Sequence, residues 1–271
     1  MPGWSHLYEL FIVLYALSLT FFFFDFIHPW RKSAFMGWWT LVGAFMLLTG
    51  VLLYEWWQER NFFYILILQT RFVYMWLLMF FSIVLNTLYQ MDFFLFLVNL
   101  FGFAIVTSHT FPLLEHSLNS VWAAQQRLFF LHVSFALVAE VLFLIAGVLG
   151  VMFVISDALL KSKSWHTQLF RLPSLEKMVF LANRAILTGV PLLAISIILG
   201  FVWVSSLGAW IDLRDSKVIW SFILILWYSF LIYVRLRYHW PWLRLMRSYM
   251  ISLIPLWLSW LSMHPLSSLL R

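Results

Sequence analysis

The sequence predicts an all-α fold, a polytopic membrane helix bundle of about eight transmembrane helices with both termini outside. Three observations predict it. Of the 271 residues, 64% are hydrophobic and 10% charged, against roughly 45–50% and about 25% in a soluble domain. Mean hydropathy is +0.93. The apolar residues also run unbroken over stretches of about 20, the length a helix needs to cross a bilayer, and do not alternate as barrel strands do. Eight such spans with short loops take up the whole length, so residues 1–271 are expected to form a single integral membrane domain.

The N-terminal MPGWSHLYELFIVLYALSLTFFFFDFI has no basic segment ahead of its apolar run and no small-residue cleavage site. It reads as a first span near 5–27 that is kept, rather than a signal peptide. Charged or Pro/Gly clusters then bound spans near 35–54, 63–87, 92–109, 127–156, 179–204, 218–236 and 248–263. The third and fifth are long enough to tilt or to begin in the interface, and the last is short. Trp38, Trp39, Trp56, Trp57, Trp240 and Trp242 fall at span ends, where an interfacial aromatic belt forms.

Lys and Arg set the orientation. The loops after spans 1, 3, 5 and 7 carry ten of the 17 basic side chains, the opposite side carries five, and Arg71 and Arg184 lie inside spans. The richer side is expected in the cytoplasm. The same loops account for the net charge of +6 and the pI near 9.7, so no nucleic-acid partner is expected. The basic loops at 160–178 and 235–247 suit anionic lipid.

With no cysteine in the chain, thiolate metal sites, Fe–S clusters and covalent haem attachment through C-x-x-C-H are excluded. Histidine is left to carry any metal or haem chemistry. The predicted topology puts His6, His109, His116, His132 and His264 at or near the outer face, and His28, His166 and His239 at cytoplasmic span ends. The inner three read as interfacial side chains beside Trp and Arg; the outer five converge on one surface from different spans. Two charges lie near the expected midplane. Arg71 is about nine residues into the third span, and Glu140 is about 12 Å deeper than His132 at 1.5 Å per residue. Either alone is costly in a bilayer. An Arg71–Glu140 pair is therefore expected, either as a structural lock or as a propionate clamp or ion-path element.

The stretch LGFVWVSSLGAWIDLRDSKVIW, Leu199 to Trp220, resembles the outer-loop motif L-G-x-x-W-A-x-x-x-W-G-x-Y-W-x-W-D-P-K-E-T-W of the cytochrome c assembly superfamily, the group containing CcsA, CcmC and HemX. It aligns without a gap. Leu199, Gly200, Trp203, Asp215, Lys217 and Trp220 match, whereas Gly208, Asp212 and Arg214 stand where the family has tryptophan, and Trp210 is off register. RLFFLHVSFA is similar to the family's L-x-x-H-V, which makes His132 the counterpart of one outer haem ligand. SWLSMHPLSS places His264 where the second falls. In YSFLIYVR, Tyr233 replaces the family's membrane-embedded histidine, so that ligand does not carry over. The lost tryptophans, the N-terminal LYELFIVLYALSLTFFFFDFI and the loop RLPSLEKM resemble the HemX branch.

That resemblance implies a haem-interacting, multi-pass protein of the bacterial plasma membrane that senses or handles haem and is not an enzyme. Haem, held non-covalently, is the implied cofactor, with His132 and His264 on the iron and Trp203, Asp215 and Lys217 shaping the loop over the porphyrin. The iron would supply the reactivity. Asp215 is one acceptor for a ligand's free ring nitrogen; pairing with Lys217 is the other reading. HemX-type proteins are associated with control of tetrapyrrole synthesis, including the level of glutamyl-tRNA reductase, which makes that enzyme a possible partner. A CcsA-like subunit presenting haem to apocytochrome c, with an assembly partner, is the alternative. A haem-free scaffold acting through the basic loops is a third.

Overall fold

The computed structural model describes residues 5–27, 31–59, 70–107, 126–162, 172–206 and 216–261. Among them there is no strand. The helices are α1 (Ser5–Ile27), α2 (Arg31–Glu59), α3 (Thr70–Tyr89), α4 (Asp92–Thr107), α5 (Gln126–Lys161), α6 (Leu175–Ser206), α7 (Ser216–Tyr238), α8 (Trp242–Ile251) and α9 (Leu253–Leu261). Six of the described helices, α1, α2, α3, α5, α6 and α7, are long and apolar enough to cross a membrane. The protein is a multi-pass helical membrane protein.

The fourth expected span is described as far as Thr107, as the 16-residue α4, and one expected span takes another form. The eighth is divided at Ser252 into α8 and α9. Pro255 explains the division, because it has no N–H to donate to the carbonyl four residues back, that of Ile251. The chain bridges the break with bonds from Ser252 N to Ser248 O (3.1 Å) and from Leu256 N to Ser252 O (3.3 Å). α5 and α6 run past their expected limits at both ends.

The chain forms two compact units, Met1–Val106 with Ile155–Leu175, and Thr107–Val154 with Glu176–Arg271. In the first, α1 and α2 pack closely, and Ser18 Oγ donates to Gly37 O across them (2.8 Å). Asn99 on α4 donates to Ser82 Oγ on α3 (3.0 Å) and accepts from the Tyr15 hydroxyl on α1. Such side-chain bonds hold helices together where lipid supplies no hydrophobic drive.

The second unit is built on α5. From Val141 to Leu149 every side chain but Leu142 is buried, the all-round burial expected of a central helix. Small residues let its neighbours approach. A Cβ on Gly150 would meet the α8 backbone, 2.6 Å from Met246 O and 2.9 Å from Met250 N, and one on Gly189 of α6 would meet the Phe143 ring at 2.7 Å. Phe143 stacks on Tyr228 of α7 at 4.1 Å, and the Tyr228 hydroxyl donates to Ser252 Oγ at the α8–α9 break (2.9 Å). Large apolar side chains elsewhere, among them Ile198, Leu226 and Ile254, face outward as lipid-contacting residues do.

Candidate functional site

His132 lies in the second turn of α5, facing α6. Its Nδ1 is 2.6 Å from the backbone carbonyl of Ser196. A carbonyl oxygen only accepts, so Nδ1 carries the proton and donates. The Ser196 hydroxyl donates back to the carbonyl of His132 at 2.8 Å and lies 3.1 Å from Nδ1. Each residue therefore binds the other's backbone, and α5 and α6 are clamped at this level. In the neutral ring Nε2 is then the lone-pair nitrogen, the form that ligates metal, with the second ring nitrogen tied to a backbone acceptor as metal-bound histidines have it.

Gly200 makes room for the ring. It lies one helical turn after Ser196, and residues four apart stack on one face of a helix. A Cβ at Gly200 would sit 2.8 Å from Cε1 and 2.9 Å from Nδ1 of His132. The glycine of the Leu199–Gly200 pair is thus a close-approach glycine. Phe129, one turn before His132, packs on Trp203 with ring centroids 4.7 Å apart.

A second polar cluster lies deeper along α5. Glu140 Oε1 accepts from Lys217 Nζ at 2.6 Å, and Nζ also donates to Ser259 Oγ at 3.2 Å. The ammonium lies 5.2 Å from the centroid of the Trp260 ring, within cation–π range. The Glu140 side chain is 3% exposed and that of Lys217 33%. Among the described residues, Glu140 Oε2 is enclosed and has no hydrogen-bond partner.

This geometry corrects two expectations. The cation on Glu140 is Lys217, where Arg71 was expected; Lys217 opens α7 and its long stem reaches the carboxylate, while Arg71 belongs to α3 in the other unit. Lys217, expected just before the seventh span, lies in the first turn of α7, which begins at Ser216, while Trp203, inside the expected sixth span, is buried on α6. On the His132 ring the acceptor of Nδ1–H is the Ser196 carbonyl. His264, Asp215, His28, His109, His116 and His166 lie outside the described residues. His6 is exposed on α1, its Nδ1 3.3 Å from Glu9 Oε2. Among the described residues no group of three or more His, Asp and Glu side chains is placed to hold a metal ion.

The profile of the family described as Cytochrome C assembly protein matches residues 64–270. The chain belongs to that family. Among curated relatives, Protein HemX of Bacillus subtilis (strain 168) is 33% identical over 232 residues, covering 83% of this chain and 82% of its own. Protein HemX of Brevibacillus brevis is 31% identical over 232 residues, covering 85% of each. No solved structure matches the chain. Within the cytochrome c assembly family the protein is therefore of HemX type, and a multi-pass bacterial membrane protein. The family motif gains a physical meaning here: Gly200 seats the His132 ring, and Lys217 neutralises a carboxylate inside the helical unit.

Ser196, Ser259, Trp260 and Phe129 were not singled out from the sequence. Ser196 had a readable signal, a polar residue in an apolar run four positions before the motif glycine. Ser259 and Trp260 belong to SWLSMHP, where they carry no motif of their own.

Proposed function

We propose that this HemX-type protein binds haem non-covalently through His132 and takes part in control of tetrapyrrole synthesis. One observation carries the reading: the His132 ring has Nδ1–H committed to the Ser196 carbonyl, which leaves Nε2 as an electron-pair donor. A neutral, oriented imidazole is what an axial position on haem iron requires. His264 is proposed as the opposing ligand, as the family resemblance implies, and the ten-to-five distribution of Lys and Arg supports an outer-face location for both.

Haem would supply the redox and ligand-binding chemistry, and the protein needs none of its own. Its residues bind and orient. Ser196 holds the tautomer of His132, Gly200 admits the ring, and the Lys217–Glu140 pair holds α7 to α5 beneath it. A role in tetrapyrrole control, through glutamyl-tRNA reductase or another partner, rests on what HemX-type proteins are associated with. Gly208, Asp212, Arg214 and Tyr233, standing where the superfamily has tryptophan or histidine, weigh against presentation of haem to apocytochrome c.

The test is the absorbance spectrum of protein purified from haem-replete cells. A Soret band that His132→Ala largely removes, that His264→Ala weakens or converts to high spin, and that His239→Ala leaves intact supports the reading. No band in the wild type, or a full band in His132→Ala, overturns it. A deletion strain separates the biological roles: altered tetrapyrrole levels with normal covalent cytochrome c are expected, and loss of cytochrome c contradicts the regulatory reading.

A further inference from the structure

The turn from α7 into α8 is built from arginine and tryptophan. His239 adopts φ 50° and Pro241 is extended at φ −62°, ψ 146°, which reverses the chain after the last turn of α7. Two tryptophans brace that reversal. The Arg235 guanidinium lies 3.5 Å from the centroid of the Trp242 ring, and its Nη1 donates to the Trp240 carbonyl at 2.8 Å. Arg244, on α8, lies 5.1 Å from the Trp240 ring centroid. Stacking uses the face of a guanidinium and leaves its N–H edge able to grip an anion in bidentate fashion.

Around this frame Arg237, Arg244 and Arg247 are exposed. Among the described residues no carboxylate pairs with any of the three. The sequence itself contains no Asp or Glu after Asp215. Leu236, Tyr238 and Trp242 are exposed beside the arginines, Leu236 to 72%. α8 is two-sided, with Leu245, Met246 and Tyr249 buried and Arg244 and Arg247 outward. At 10 residues it cannot cross a bilayer. It follows the end of a span, where an amphipathic helix lies in the headgroup layer.

We propose that the α7–α8 turn binds the phosphate of an anionic phospholipid, with Arg237, Arg244 and Arg247 on the headgroup and Leu236, Tyr238 and Trp242 among the upper acyl chain and glycerol. An acidic protein surface would match the arginines but not the apolar and aromatic residues set among them. Membrane-surface lipid matches both. The proposal is independent of haem binding, because the turn shares no residue with the His132 site.

The test is native mass spectrometry of the full-length protein released from micelles containing equal phosphatidylglycerol and phosphatidylcholine. The wild type is expected to retain phosphatidylglycerol preferentially. Arg237→Gln/Arg244→Gln/Arg247→Gln should lower that preference by about tenfold or more, while Lys32→Gln/Lys161→Gln, removing two exposed cations elsewhere, should not. Trp240→Leu, which changes no charge, should weaken it by freeing Arg244, and keeps the test open if the triple variant does not fold. Absence of preference in the wild type, equal loss in the Lys32/Lys161 variant, an unchanged preference in a folded triple variant or, where that variant does not fold, an unchanged preference in Trp240→Leu would overturn the proposal. Full displacement of the lipid by inorganic phosphate, or stronger capture of polyglutamate than of lipid, would overturn it in favour of a plain anion site or a protein surface.

Discussion

Replacing Gly200 by alanine drives a methyl group into the imidazole of His132. The added Cβ would lie 2.8 Å from Cε1 and 2.9 Å from Nδ1. Carbon atoms pack at about 3.5–4.0 Å, so the ring or α6 must give way by roughly 0.6 Å or more. The bond from Nδ1 to Ser196 O starts at 2.6 Å and is driven past about 3.2 Å, the outer edge of hydrogen-bond geometry. Overpacking costs about 1–3 kcal/mol and the lost bond about 1 kcal/mol more. Alanine's better helix propensity offsets about 1 kcal/mol, which leaves a net destabilisation of about 1–3 kcal/mol. The assay is unfolding of purified protein in mixed micelles followed by circular dichroism, on wild type, Gly200→Ala, His132→Ala and the double variant. Once the ring is gone the methyl has nothing to strike, so the two losses should fall short of additive by about 1 kcal/mol or more. A Gly200→Ala protein within about 0.5 kcal/mol of wild type, or strictly additive losses, would refute the close-approach account.

The ion pair makes an asymmetric prediction. Lys217→Ala strands the enclosed Glu140 and should cost roughly 3–5 kcal/mol, whereas Glu140→Ala should cost less because the third-exposed Lys217 can turn its ammonium toward water. Glu140→Leu with Lys217→Met should recover much of the loss in the same unfolding assay. Gly150→Ala should destabilise more than Gly147→Ala, since the first Cβ meets backbone atoms of α8 while the nearest atom to the second is the side chain of Leu253; thermal midpoints in micelles check the order. Reporters fused after Lys163 or Arg244 should read cytoplasm, and one after Leu213 the outside; opposite readings at two sites would reverse the proposed orientation.

The helical membrane architecture was legible because hydropathy is a one-dimensional signal: an apolar run long enough to span leaves the backbone no alternative to helix. Limits were less legible. α5 and α6 extend beyond their apolar cores because charged residues such as Lys161 and Glu176 are good helix formers once outside the hydrocarbon. The break at Ser252 could have been read from Pro255, but the hydropathy of the run does not change there. His132 was found through its motif. Its partner was not, because a backbone carbonyl has no sequence signature and Ser196 shows only as a small polar residue in a span. The partner of Glu140 was assigned to Arg71 by matching depth along two helices. Depth does not say which helices are neighbours, and a lysine at a helix start can reach inward by the length of its stem.

The central claim is that His132 serves as a ligand rather than a helix clamp alone, and chemical rescue separates the two. His132→Gly removes the ring and opens its space, and free imidazole restores a ligand without restoring the link between α5 and the Ser196 carbonyl. The account predicts that the purified His132→Gly protein loses its Soret band and regains much of it when imidazole is added, with His28→Ala and His239→Ala unaffected throughout. A His132→Gly protein that keeps its full band without imidazole, or a band that imidazole fails to restore in protein that remains folded, would contradict it.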